Sequence, residues 1–265
     1  MNTSKITIRP SSLSEIGQCS YRWYKTHIEG EQMPPSSRAN IGTAIHRGAE
    51  VFWTDAIKSG KKDNNLRAIQ DAAIQQYQES EKEGNVFYKD RENKNTAEKE
   101  VVNGTKAFLT DIVPKTDIPL AVEKRLSYEV DHPLVARVSG TVDYITSDTI
   151  ADLKTSGRKI SPQDHVLQQS IYNFLAVKNG IKVDKLQIQS IILSKTTPPR
   201  GEIMSLTPNI PQALYITNHL LDSLKVAHEG KVDPKLLFRG NPKYFLCSDA
   251  YCSQHSTCPF VNGEK

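Results

Sequence analysis

Apolar positions along this chain change from helical to strand spacing and back, in an order that outlines an α/β domain. Helical spacing runs through residues 11–30, 42–58 and 66–82, the last of these mostly polar. Residues 59–65 read as a loop, and residues 83–95 as a charged connector with few apolar positions. Val101, Ala107, Phe108 and Ile112 give residues 96–112 an amphipathic helix. Alternation then takes over near 120–130, 134–146 and 149–154. Ser161-Pro162 is a helix start, and the helix runs to Lys178, where Asn179-Gly180 stops it. Its buried face is Leu167, Ile171, Phe174 and Leu175. Residues 185–193 alternate again, 196–201 read as a turn, 202–206 return as a strand, and 208–229 form a long helix closed by Gly230. The pattern predicts a central mixed sheet flanked by helices. It divides one domain of residues 1–265 into a helical part (1–115), an α/β core (116–206) and a C-terminal helix with a cysteine cluster (207–265).

Candidate chemistry gathers where the strands begin to alternate. Asp143 ends one alternation, Ser147-Asp148 turns the chain, and Asp152 and Lys154 follow two residues apart, on one face of the next strand. A hairpin would bring all three together. Two carboxylates and a lysine suit a divalent cation and an activated water, the equipment for phosphodiester hydrolysis. Taken alone, Asp-x-Lys equally fits an exposed strand edge. In the following helix Gln168 and Tyr172 stand four apart on one stripe. They either present an amide and a phenol to a substrate or serve as solvated and core residues. Upstream, Gly42 allows close backbone approach, Thr43 reads as an N-cap, and His46 falls in the first turn. An imidazole beside two carboxylates makes a mixed N/O site that suits manganese; a structural histidine is the alternative.

The cysteines are the second signal. Cys19 stands alone, and Cys247-x4-Cys252-x5-Cys258-Pro259 crowds three thiols into the tail. The segment Met1-Asn2-Thr3-Ser4-Lys5 has no apolar h-region, and no run reaches the length of a membrane span, so a cytoplasmic setting is expected. Structural disulfides are disfavoured there. Four thiolates are the number that a zinc ion or a [4Fe–4S] cluster takes, and the uneven spacing and final Cys-Pro favour the cluster.

The ordered set His46, Asp143, Asp152-Leu153-Lys154, Gln168-x3-Tyr172 and the four cysteines resembles the RecB-type nucleases of the PD-(D/E)-x-K superfamily. Within them it is similar to the iron–sulfur branch, the AddB nuclease domain and the CRISPR-associated four-cysteine exonucleases. The resemblance spans residues 19 to 258. It implies a restriction-endonuclease-like core with a helical lobe closed by an iron–sulfur cluster. It implies that His46, Asp143, Asp152 and the carbonyl of Leu153 hold Mn2+ or Mg2+, that Lys154 positions the water, and that Gln168 and Tyr172 complete the site. It implies that Cys19, Cys247, Cys252 and Cys258 hold a [4Fe–4S] cluster. Glu123 falls where such enzymes often carry a further acidic group, and equally suits a surface strand. Val142 stands where the superfamily name has proline, and the Cys247–Cys252 gap is longer than the two-residue spacing often seen.

Composition adds little against this. Hydrophobic residues at 37% and charged residues at 24% describe an ordinary polar globular chain, and a net charge of +4 announces no broad nucleic-acid surface. Charge is uneven, however. Lys225, Lys231, Lys235, Arg239 and Lys243 cluster, and Tyr21-Arg22-Trp23-Tyr24-Lys25 interleaves rings and charges, an arrangement that can track a single strand or equally form core. No G-x4-G-K-[ST] run occurs, so no motor activity is expected of this chain. Two functions follow: a metal-dependent DNA exonuclease acting on single strands or DNA ends in recombination, repair or CRISPR adaptation, with a helicase or recombination protein as partner; or a catalytically silent DNA-binding subunit with a structural metal cluster.

Overall fold

Three consecutive strands and a parallel crossover build the middle of the molecule. The computed structural model describes residues 5–31, 33–63, 65–84, 86–88 and 92–262. Residues 1–4, Asn64, Asn85 and residues 89–91, which belong to the N-terminal segment, the loop and the connector read above, lie outside the described residues. The elements in chain order are β1 (Ile6–Ile8), α1 (Ser12–His27), α2 (Ser37–Ser59), α3 (Leu66–Lys82), α4 (Lys94–Ala107), β2 (Ala121–Glu129), β3 (Val135–Ile145), β4 (Thr149–Ser156), α5 (Val166–Lys178), β5 (Lys185–Ile192), β6 (Arg200–Leu206) and α6 (Ile210–His228), followed by the short turns Pro234–Leu237 and Pro259–Asn262. Among the described residues the strands form one mixed sheet in the order β1-β3-β4-β5-β6, with β2 on β3. This is the α/β architecture with a mixed central sheet that the pattern predicts.

One feature of the sheet positions the candidate site. The β2 ladder occupies one edge of β3 from Arg137 to Ile145. The parallel partner β1 and the antiparallel partner β4 therefore share the other edge. β1 reaches only Val138, and β4 pairs only through Tyr144↔Ala151 and Ile145↔Ile150. Beyond those pairs β4 leaves β3 and runs parallel to β5 along its whole length. The middle of β3 thus has no strand on that edge, and the two strands open as a V.

Two apolar layers flank the sheet. One joins α2, α3 and α4 to it, with Phe52, Trp53, Tyr77, Phe108, Tyr144 and Leu153 buried. Trp53 meets Phe108 and Tyr144 with ring centroids 6.0 and 5.6 Å apart. The other joins α1, α5 and α6, with Leu13, Trp23, Val142, Ile171, Leu175 and Leu224 buried. Among the described residues no helix is long and apolar enough to cross a membrane.

Several boundaries differ from those read in the sequence, each for a local reason. α2 begins at Ser37, not Gly42, because Ser36, in extended conformation after Pro34-Pro35, accepts the Ala39 N–H. Thr43 is therefore not a cap; it lies inside the helix and donates to the Ala39 carbonyl at 3.2 Å. His46 consequently stands well inside α2 rather than in its first turn. The helix read over 96–112 is α4 followed by a π turn at Phe108–Ile112. The helix after Ser161 starts as a 3-10 turn, Pro162–His165, before α5. In α1, Cys19 departs from helical geometry (φ −153°, ψ 84°), a break that apolar spacing does not reveal. The ring-and-charge run 21–25 is packed, not free to track a strand. Trp23 is buried, Tyr21 meets Phe260 edge-on, and Arg22 is held by Glu15 and the Tyr251 carbonyl. Lys25 sits between Glu29 and Glu31.

Candidate active site

The mouth of the V collects the charged residues. Asp143 projects into the opening from β3; its Oδ2 accepts the Leu153 N–H of β4, and its Oδ1 lies 3.3 Å from His46 Nδ1. His46 is brought there by α2, which can lie this close to β4 because position 42 has no side chain. A Cβ on Gly42 would stand 2.7 Å from Thr155 Oγ1. Glu123 comes from β2. The register pairs on either side, Val122↔Tyr144 and Lys124↔Val142, set it opposite Asp143. Its φ of 48° makes it the one non-glycine residue with positive φ among the described residues. Such backbone costs about 1–3 kcal/mol and tends to occur at functional sites. His46, Glu123 and Asp143 each offer a ligand atom, and these atoms lie within 4.8 Å of one another.

Asp152 sits deeper and outside this triad, and is 3% exposed. Its Oδ2 is 2.7 Å from Lys154 Nζ, and its Oδ1 accepts from Gln168 Nε2 at 3.1 Å. Gln168 is buried, so the solvated alternative does not apply to it. Tyr172, also buried, donates to the Thr141 carbonyl at 2.8 Å and so occupies the edge of β3 that β4 has left. Its hydroxyl faces main chain rather than the metal-binding triad. His46, Glu123, Asp143, Leu153 and Lys154 all line one groove of about 460 Å³ between α2 and the sheet.

The PD-(D/E)XK nuclease superfamily model matches residues 7–259. The chain belongs to this superfamily. The crystal structure of a candidate exonuclease from Eubacterium rectale superposes on it with a TM-score of 0.61 at 13% identity, over 91% of this chain and 86% of that one, a likeness of fold. A further structure, SSO0001, aligns over 94% of both chains at 13% identity with a TM-score of 0.36, too low to bear on the fold. No curated protein sequence matches. The chain is therefore a nuclease by family, and PD-(D/E)XK nucleases use divalent metals.

The electrostatics of the nuclease groove fit cation binding. Burial pushes the Glu123 carboxyl up, and the Asp143 charge adds to it, to about 7. Burial also opposes the charge on His46, but the Asp143 carboxylate beside it raises the imidazole above its ordinary value. Burial raises the Asp152 carboxyl, with Asp143 adding to the rise and Lys154 countering it. Burial works against the Lys154 ammonium, yet Asp152 and Asp143 together hold it above the ordinary lysine value. Concentrated negative charge that protons and one ammonium only partly neutralise is what a divalent cation relieves. Sequence reasoning missed His165. Burial and the Lys154 charge push its imidazole down to about 4, so a neutral ring stands by the lysine. Only the fold reveals that proximity.

Gly42→Val should displace α2 from β4 and separate His46 from Asp143, lowering hydrolysis roughly 10- to 100-fold. Circular dichroism should show a folded protein, and a wild-type rate would contradict the close packing described here.

All four cysteines line one small cavity between α1 and the tail, with Cys19 and Cys258 buried. The ends are tied there by main chain as well. The Tyr21 N–H donates to the Arg239 carbonyl at 3.1 Å, and the Arg239 N–H donates to Ser20 Oγ at 2.7 Å. The four thiols fit a metal group. Among the described residues no three cysteine sulfurs lie within 4.8 Å of one another.

Proposed function

We propose that this nuclease is a metal-dependent deoxyribonuclease of the RecB type, in its iron–sulfur branch, hydrolysing DNA from single-stranded or frayed ends. The observation that carries the reading is the convergence of His46, Glu123 and Asp143 beside the Asp152–Lys154 pair in one open groove. His46, Asp143, Asp152 and the Leu153 carbonyl would hold Mn2+ or Mg2+, and Glu123 adds a carboxylate that could share it. When bound, the ion supplies Lewis acidity to a phosphoryl oxygen and lowers the pKa of water. Lys154 holds the attacking water and offsets charge on the phosphate. Gln168 fixes Asp152 through its amide, and Tyr172 fixes the open edge of β3 that carries Asp143. The cysteines would hold a [4Fe–4S] cluster that joins the helical lobe to the tail; their uneven spacing along the sequence and the final Cys-Pro favour it over zinc.

In this reading residues 1–265 act as a single nuclease domain with residues 116–206 as its catalytic core. The protein works in the cytoplasm on DNA, with a helicase or recombination protein as partner, in recombination, repair or CRISPR adaptation. The preference for ends rests on the resemblance to exonucleases. Linear and circular single-stranded DNA of one sequence test it. We expect Mn2+ to support degradation of the linear form at least as well as Mg2+, Ca2+ to fail, and the circle to survive. A circle cut as fast as the linear form would make the enzyme an endonuclease. Binding without any cutting would favour the silent subunit.

A further inference from the structure

The open face of β2 and β3 continues past the candidate active site as a second groove, of about 520 Å³. Arg125 and Thr141 are register partners in that ladder. They lie two residues along each strand from Glu123 and Asp143, a step of roughly 7 Å. The character of the charge changes over that step. The first groove mixes Glu50, Glu123 and Asp143 with His46, Arg47 and Lys154, whereas the second has no carboxylate in its lining and carries Arg9 and Arg125. Arg125 Nε donates to Ser139 Oγ at 3.2 Å, and Ser139 donates onward to the Leu126 carbonyl at 2.8 Å. The guanidinium is thus propped from behind. Neither arginine forms an ion pair with a described carboxylate. The wall behind them is tight. A Cβ on Gly140 would stand 2.7 Å from Pro10 Cδ and 2.9 Å from Tyr172 Cε1. Uncompensated guanidiniums on a rigid polar wall are a recognition site for a planar oxyanion, and phosphate matches their fork of donors.

We propose that Arg9 and Arg125 seat a nucleic-acid phosphate that neighbours the one being hydrolysed, and so set which bond of the strand enters the metal-binding groove. The proposal deepens the nuclease reading and rests on it. The seated group is either an internal phosphodiester or a terminal phosphate, and the same chemistry serves both.

The test is binding of short fluorescent single-stranded oligonucleotides in EDTA, read by anisotropy over a range of salt, and needs no hydrolysis. Arg125→Gln and Arg9→Gln should each weaken binding by about tenfold. Each should make log K less steep in log salt by about 0.7, the contribution of one phosphate contact on a single strand. Arg125→Lys, which keeps the charge, should recover part of the affinity. Neutralising single internal phosphates as methylphosphonates should find one position that weakens wild type but not Arg125→Gln; that result assigns an internal phosphate. If instead removing the 5′- or 3′-phosphate weakens wild type but not Arg125→Gln, and no internal position does so, the seat takes a terminal phosphate. On a cleavable strand, Arg125→Gln should raise KM while kcat changes little. The proposal is overturned if both glutamine variants keep wild-type affinity, salt slope and methylphosphonate pattern while wild type cuts DNA. Arginine-dependent binding by a wild-type protein that never cuts would instead sink the nuclease reading and leave the seat standing.

Discussion

Asp152→Ala and Lys154→Ala should each reduce DNA hydrolysis by about a thousandfold or more, the scale expected when a group that stabilises charge in the transition state is removed. The two residues depend on one another. Asp152 is almost fully enclosed, and Lys154 and Gln168 engage its two oxygens. Removing the lysine therefore leaves a carboxylate enclosed without its counter-charge, and the variant should lose stability as well as activity. Lys154→Met retains most of the side-chain bulk, and Asp152→Asn retains the shape of the acid and the Gln168 contact. If these two fold like wild type, with coincident thermal transitions, and still do not cut, the loss belongs to the chemistry. A Lys154→Met variant that cuts at the wild-type rate would remove the lysine from the mechanism.

Cys19→Ser and Cys258→Ser should lower stability more than any substitution in the groove. Cys19 and the tail cysteines come from opposite ends of the sequence, so a shared metal group closes a loop of nearly the whole chain. By analogy with a crosslink of that length the restraint on the unfolded chain is worth up to about 5 kcal/mol. That is an upper guide, because the Tyr21–Arg239, Arg22–Tyr251 and Ser253–Glu31 hydrogen bonds join the same ends without metal. Protein purified without air should be brown, with broad absorbance near about 400 nm and about four iron and four sulfide per chain. The serine variants should be bleached and should melt at lower temperature. About one zinc per chain would replace the cluster with a zinc site. No metal, with unchanged stability in the variants, would leave the cysteines unconnected with one another.

What the sequence reveals of this site is what is local. Asp143, Asp152 and Lys154 sit on two strands joined by a short turn, so the sequence places them near one another though not in their final arrangement, and the helical stripe of α5 carries Gln168 back to Asp152. The N-terminal start of α2 is also legible, since Pro34-Pro35-Ser36 is a helix-start signal. Gly42-Thr43 imitates one further along and obscures it. Glu123 could be named but not given a place. Its position opposite Asp143 depends on the β2–β3 register, and its left-handed backbone has no signature in a residue that is not glycine. The break at Cys19 and the opening of β3 from β4 are equally hidden, because both arise from tertiary packing. The groove of Arg9 and Arg125 joins residues more than a hundred positions apart, and only the closed sheet assembles it.

The central claim is that these residues form a metal-dependent nuclease site, and the most direct test is hydrolysis of an end-labelled single-stranded DNA by the purified protein. Wild type, Asp143→Asn and Lys154→Met should be compared in Mn2+ and again in excess EDTA. The account predicts degradation by wild type in Mn2+, none in EDTA, recovery when Mn2+ is returned, and none by either variant under any condition. Undiminished cutting in EDTA, or cutting by Asp143→Asn at the wild-type rate in Mn2+, would contradict it.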